Sequence, residues 1–169
     1  MQNYTFRIAN NQDISAIKEL VFKVLLEFGL QPDPSSTDAD LDDIEANYLN
    51  HGGMFYVIEN ADGAIIGTGG IALSSSKVCE LRKMYLAQSV RGVGLGKKML
   101  HLLLAEAKKL GFQQVTLETA SVLKNAIILY QGAGFLPYQP DRKYHLHYDA
   151  IRSNVSDLLT NHKEEFQFP

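Results

Sequence analysis

The chain has 169 residues, 46% of them hydrophobic and 21% charged, which is the length and composition of one soluble domain around one core. A net charge of −3 without any long lysine-arginine run argues against a nucleic-acid footprint, and the single cysteine, Cys79, excludes an intramolecular disulfide. No apolar run is long enough for a membrane span and Met1–Tyr4 lacks the basic and apolar stretches of a signal peptide, so a cytoplasmic protein with no nucleic-acid or membrane partner is expected.

The alternation in Tyr4-Thr5-Phe6-Arg7-Ile8 predicts a first strand. Asp13 then opens a helix in which Ile14, Ile17, Leu20, Val21, Val24, Leu25 and Phe28 share one face, with Gly29 as its stop. After the loop at Gln31–Ser36, a second helix is expected from about Thr37, with Asp40 as a capping-box acid. It runs through Leu41, Ile44 and Tyr48 to the break at His51-Gly52-Gly53. Met54–Glu59 and Ala64–Leu73 form a predicted hairpin around Asp62-Gly63. Lys77–Leu86 is the next strand, and its imperfect alternation calls for a bulge. A helix follows over about Gly94–Leu110, with Leu95, Met99, Leu103, Ala107 and Leu110 on one side. Gln113–Glu118 is a strand, Leu123–Gln131 a short helix, and Phe135–Tyr148 a final strand pair around Pro140-Asp141. Ile151, Val155, Leu158 and Leu159 then suggest a last amphipathic helix, docked on the core or on another subunit.

The turn Arg91-Gly92-Val93-Gly94-Leu95-Gly96 stands where a strand hands over to a helix N-terminus. Alternate glycines let backbone approach a ligand closely, and the free N–H groups of the helix start favour a phosphate or pyrophosphate. It is not a P-loop, since Arg91 stands five residues before Gly96 and Lys97 is followed by Lys98, not by a hydroxyl residue. A dinucleotide fingerprint fails as well, because Lys97 or Met99 occupies the place of the third glycine.

What remains, R-x-x-G-x-G after the strand Glu80-Leu81-Arg82-Lys83-Met84-Tyr85-Leu86, resembles the acetyl-CoA signature of the GCN5-related N-acetyltransferases, the GNAT family. Asn125, Tyr130 and Gly134-Phe135 resemble that family's second signature, and the likeness in element order covers roughly Tyr4 to Tyr148. The resemblance implies an α/β (α+β) fold with a mixed, mostly antiparallel sheet of about six to seven strands, about four flanking helices and an extra C-terminal helix. Residues 1–148 would form the acetyltransferase domain and 149–169 an extension, and a homodimer is plausible. It implies acetyl-CoA as the acyl donor, bound where two central strands splay, and an amine acceptor entering beside the first two helices.

The chemistry so implied has a neutral amine attack a thioester, form an oxyanion and expel a thiolate. Glu80 is the candidate base, acting through a water, although a strand residue salt-bridged to Arg82 fits the same position. Tyr130 is the candidate proton donor to the thiolate, although its spacing with Leu123, Ala126 and Ile127 also suits a core aromatic. For the cofactor, the backbone of Met84, Tyr85 and Leu86 would pair with the pantetheine arm. Arg91, Gly92, Val93, Gly94, Leu95, Gly96 and Lys97 would surround the pyrophosphate, and Asn125 would hold the arm or the loop.

His145 and His147 share one strand face, but no third ligand is evident and no metal is expected. The acids at Asp33, Asp38, Asp40, Asp42, Asp43 and Glu45 fit a helix dipole better than a cationic acceptor. Cys79 reads as a small buried strand residue. The functional reading is N-acetylation of a primary amine of a small molecule or amino acid. A CoA-sensing module without turnover, or transfer to a protein N-terminus or lysine, are the alternatives.

Overall fold

The computed structural model describes residues 3–137 and the backbone of 148–154. Seven strands form one sheet: β1 (Thr5–Ile8), β2 (Met54–Glu59), β3 (Ile65–Ser75), β4 (Val78–Leu86), β5 (Gln114–Ala120), β6 (Leu136–Pro137) and β7 (Tyr148–Asn154). Their order is β1-β2-β3-β4-β5-β7-β6, and every neighbouring pair is antiparallel except β4–β5. That one parallel pair needs a crossover, which α3 (Leu95–Lys109) supplies.

Two apolar clusters sandwich the sheet. On one face Met99, Leu100, Leu103 and Leu104 of α3 pack with Leu81, Val115 and Phe135. On the other, Ile17, Val21 and Leu25 of α1 (Ile14–Glu27) pack with Leu41, Ile44, Tyr48, Phe55 and Val57. Of the stripe predicted for α1, Ile17, Leu20, Val21, Val24 and Leu25 are buried, Ile14 is partly buried, and Phe28 lies just past the helix and is exposed. The 3-10 turn Asn11–Asp13 that leads into α1 is fixed by a reciprocal cap, in which Asn10 accepts from the Gln12 N–H and Asp13 accepts from the Asn10 N–H at 2.9 Å. Arg7 then grips Asp13 at 2.8 Å and Glu59 at 2.5 Å, joining β1, β2 and the start of α1.

Two expectations need correction. The segment expected as one helix from Thr37 to His51 is three short pieces: a 3-10 turn at Ala39–Asp42, a single turn α2 (Ile44–Asn47) and a second 3-10 turn at Leu49–His51. The capping acid is Asp43, which accepts from the Ala46 N–H at 2.8 Å, while Asp40 accepts from the Tyr48 hydroxyl. Asp38 and Asp43 bond to backbone N–H groups of Asp33 and Ala46, and such local bonds compete with a continuous helix.

Tyr148–Asn154 is a strand, so the sheet runs past the boundary expected at residue 148, and Ile151 belongs to β7 rather than to a helix. β7 pairs with β5 along its whole length, from Gln114↔Asn154 to Ala120↔Tyr148. The second edge of β5 carries backbone donors and acceptors that would otherwise lie unpaired inside the sheet. Val155, Leu158 and Leu159, Pro140-Asp141, and His145 and His147 lie outside the described residues. Among the described residues no helix is long and apolar enough to cross a membrane.

Candidate active site

Pairing of β4 with β5 runs from Val78↔Gln114 to Leu81↔Leu117 and stops there. Beyond it, Arg82–Leu86 and Glu118–Ala120 separate. The cause is the bulge expected from the broken alternation. Against β3, Thr68 opposes Tyr85 but Gly70 opposes Arg82, so β4 carries one residue more than β3 over this step. Lys83 takes a left-handed φ of 54°, and the Thr68 hydroxyl holds its carbonyl at 2.7 Å. A bulged strand bends, and here it bends away from β5. A cleft of about 760 Å³ opens between the diverging ends.

Backbone alternation decides which groups face that cleft. The Ala87 N–H donates to the Ile66 carbonyl at 2.9 Å, which turns residues of its parity, including Tyr85, toward β3. Met84 and Leu86 therefore direct their backbone groups to the cleft. The Leu86 carbonyl already accepts from Nε of Arg91 at 3.0 Å.

The glycine turn closes one end of the cleft. Gly92 and Gly94 have φ of 81° and 88°, and a Cβ at either would meet nothing within 4 Å, so it is backbone conformation and not crowding that calls for glycine. Gly94 is the N-cap of α3 and no side chain caps that helix, which leaves its first-turn N–H groups to a ligand. Gly92, Gly94, Gly96 and Lys97 line the cleft.

Across from β4, α4 (Lys124–Gly132) contributes Asn125 and Tyr130. Tyr130 is only 5% exposed, and its ring meets that of Phe135 edge-on at 5.8 Å. Burial pushes its phenol well above the ordinary value, with Tyr85 adding a smaller push. It serves as both core aromatic and cleft wall. Glu80 lies in the last paired stretch of β4, opposite Thr116, and also lines the cleft. Its Oε2 accepts from Nη2 of Arg82 at 2.7 Å.

That bond is the last link of an alternating chain of charges. Lys83 Nζ lies 2.5 Å from Asp38 and 3.4 Å from Asp40, Asp40 lies 3.8 Å from Arg82, and Arg82 reaches Glu80. The Tyr48 hydroxyl donates to Asp40 at 2.5 Å, and burial raises that phenol too, with the Asp40 charge adding to the shift. The chain ties the connection between α1 and α2 onto the bulge of β4.

The profile of the GNAT acetyltransferase family matches residues 19–135 of this sequence. The chain belongs to the GNAT acetyltransferase family. It is 39% identical over 139 residues to the uncharacterized N-acetyltransferase YjgM of Escherichia coli, covering 79% of this chain and 83% of that protein. It is 34% identical to N-acetyltransferase family 8 member 2 of Rattus norvegicus, over 57% of this chain and 45% of that one. A GNAT acetyltransferase from Staphylococcus aureus Mu50 superposes with a TM-score of 0.83 at 25% identity, covering 90% and 99% of the two chains. YncA of Salmonella typhimurium, solved with acetyl-CoA, shares the fold at a TM-score of 0.71 and 21% identity, over 90% and 94%.

In this acetyltransferase the site residues expected from sequence divide into groups. Glu80, Tyr130, Asn125, Met84, Tyr85, Leu86, Arg91, Gly92, Gly94, Gly96 and Lys97 all line the one cleft. Val93 is 58% exposed and Leu95 is buried in the core, so any part they take in that turn falls to their backbone. Arg91 spends its guanidinium on Glu27 at 2.6 Å and lies over the Phe28 ring at 5.2 Å. Asp38 and Asp40, read from sequence as helix-dipole acids, face the β4 cations instead. The adjacent Arg82-Lys83 pair on a strand was the available signal. Cys79 is fully buried and burial pushes its thiol up to about 12, as befits an inert strand residue. Among the described residues no three His, Cys, Asp or Glu side chains converge on a metal position.

Proposed function

We propose that this protein transfers the acetyl group of acetyl-CoA directly to a primary amine of a small molecule or amino acid. The observation that carries the reading is the cleft where bulged β4 leaves β5, lined by Glu80 on one strand and Tyr130 on the facing helix. The uncapped start of α3 behind Gly92 and Gly94 suits a pyrophosphate, with Lys97 adding charge. The cleft-facing backbone of Met84 and Leu86 suits the amides of a pantetheine arm, which Asn125 would steady.

In this scheme Glu80 takes the proton of the acceptor ammonium through a water, and the amine nitrogen forms a bond to the thioester carbon. The Met84 N–H stabilises the oxyanion. As the C–S bond breaks, Tyr130 gives its proton to the departing sulfur, and the second proton lost by the acylated nitrogen passes through water to restore the phenol. The Tyr130 phenol is protonated at neutral pH as an ordinary tyrosine's is, and burial, which raises it, keeps the proton in place while making it a weaker acid. The products are an N-acetylated amine and free CoA thiol.

The test is acetyl-CoA-dependent thiol release across amino acids, polyamines, aminoglycosides and short peptides, with the Glu80→Gln and Tyr130→Phe variants alongside. Buried Cys79 stays silent to a thiol reagent in the native protein, so the readout is CoA alone. Acceptor-dependent release that falls in both variants is expected. Tight acetyl-CoA binding with no release from any acceptor would favour the sensing module.

A further inference from the structure

Resting on that reading, we infer that the acceptor carries an anionic group, a carboxylate, next to the amine that is acetylated, and that Arg82 reads it. The two cations beside Glu80 are differently engaged. Lys83 is saturated: its ammonium bonds to Asp38 and to the Thr37 carbonyl at 2.8 Å and lies near Asp40, and its side chain is only 10% exposed. Arg82 is not. Its side chain is 40% exposed and lines the cleft. Among the described residues its one hydrogen bond runs from Nη2 to Oε2 of Glu80, since Asp40 at 3.8 Å is beyond bonding range. A guanidinium has several further N–H donors in its plane, and among the described residues none accepts from those of Arg82, which lines the cleft with its Nη1 3.8 Å from Asp40.

The pairing is monodentate on both sides. Oε2 of Glu80 and Nη2 of Arg82 lie 2.7 Å apart on residues that both line the cleft, a negative and a positive group one hydrogen bond apart. An amino acid offers the complementary pair, an ammonium and a carboxylate separated by a single carbon. Set against this edge, its ammonium faces the proposed base while its carboxylate faces the guanidinium, the side chain best shaped to bind one. A polyamine would bring a second cation toward Arg82 and is disfavoured by repulsion. No new pocket is needed, only the donors of Arg82 from which no described residue accepts.

The experiment compares matched acceptors with wild type, Arg82→Gln and Arg82→Lys: an L-amino acid, its carboxamide and its decarboxylated amine, over several side chains. Wild type should favour the free acid in kcat/KM by roughly 10- to 100-fold, the range of a charge-assisted hydrogen bond. Arg82→Gln should bring that ratio close to one, Arg82→Lys should restore part of it, and KM for acetyl-CoA should not change. The ratio within each pair matters because loss of Arg82 also disturbs Glu80. A purely structural role would slow acid and amide alike and leave the ratio intact, which would overturn the proposal. So would wild-type acetylation of the amide or decarboxylated amine as fast as the acid, with the transferase reading standing. Bound acetyl-CoA and no release from any acceptor would remove the transferase reading, and this one with it.

Discussion

Arg91 reaches out of the glycine turn to place Nη2 2.6 Å from Oε2 of Glu27, the last residue of α1. The same side chain holds the Leu86 carbonyl and lies over Phe28. One residue thus joins the turn proposed for the pyrophosphate, the strand proposed for the pantetheine and the helix flanking the acceptor side. A place for its guanidinium beside the pyrophosphate, where the sequence puts Arg91, would compete with these bonds.

Glu27→Gln should therefore cost little stability, about 1 kcal/mol or less for a partly exposed ion pair. Arg91→Ala should cost more, roughly 1–2 kcal/mol, because the Leu86 carbonyl loses its donor as well. Steady-state kinetics provide the sharper check. Arg91→Ala should raise KM for both acetyl-CoA and acceptor, since α1 is released along with the turn. A rise confined to acetyl-CoA would return Arg91 to a simple phosphate role.

Tyr130→Phe keeps the ring that meets Phe135 and removes only the hydroxyl. Chemical unfolding should show a change within about 1 kcal/mol, while kcat falls roughly 100-fold or more if the phenol is the proton donor. Tyr48 and Tyr130 both ionise above the ordinary value of 10.0 in the native protein. Above about pH 10 the unfolded chain then releases protons that the native protein keeps, so stability falls as pH rises. Tyr130→Phe and Tyr48→Phe should each flatten that alkaline decline, measured as the urea midpoint against pH.

What the sequence made legible was local. The stripe of α1, the turn at Asp62-Gly63 and the glycine turn each carry their signal within a few residues, and the parity break in 78–86 announced the bulge. What it hid depends on partners far along the chain. Leu41, Ile44 and Tyr48 are spaced as on one helix, and only their burial against Phe55 and Val57 shows that short broken turns serve as well. Ile151 matched a helical spacing with Val155, but the open edge of β5 takes it as strand. The acids at Asp38 and Asp40 acquire meaning only once folding brings Lys83, 45 residues from Asp38, to meet them.

Lys83 combines a buried ion pair with a backbone conformation better suited to glycine. Its removal leaves Asp38, only 6% exposed at the side chain, without its cation. Lys83→Ala should cost about 3 kcal/mol or more, the range for breaking a buried pair from one side. Lys83→Gly loses the same ammonium but relieves the left-handed strain, so it should be more stable than Lys83→Ala by about 1 kcal/mol. Urea unfolding of the two variants gives the difference directly. Equal stability would mean that the bulge relaxes once the ammonium is gone.

Gly94 and Gly111 allow backbone cost to be separated from ligand binding. Both have φ of 88° and a Cβ added at either would meet nothing within 4 Å, yet Gly94 caps the start of α3 and Gly111 follows its end. Alanine at either should cost about 1–2 kcal/mol of stability, since the strain of a left-handed residue is the same. Of the two, only Gly94 lines the cleft, at the start of α3. Gly94→Ala should raise KM for acetyl-CoA roughly tenfold or more, the equivalent of about 1.4 kcal/mol, with acceptor KM unchanged. Gly111→Ala should match its stability loss with no kinetic effect. If both variants bind acetyl-CoA like wild type, the cofactor phosphates do not rest on the start of α3, and the glycine turn serves only to reverse the chain.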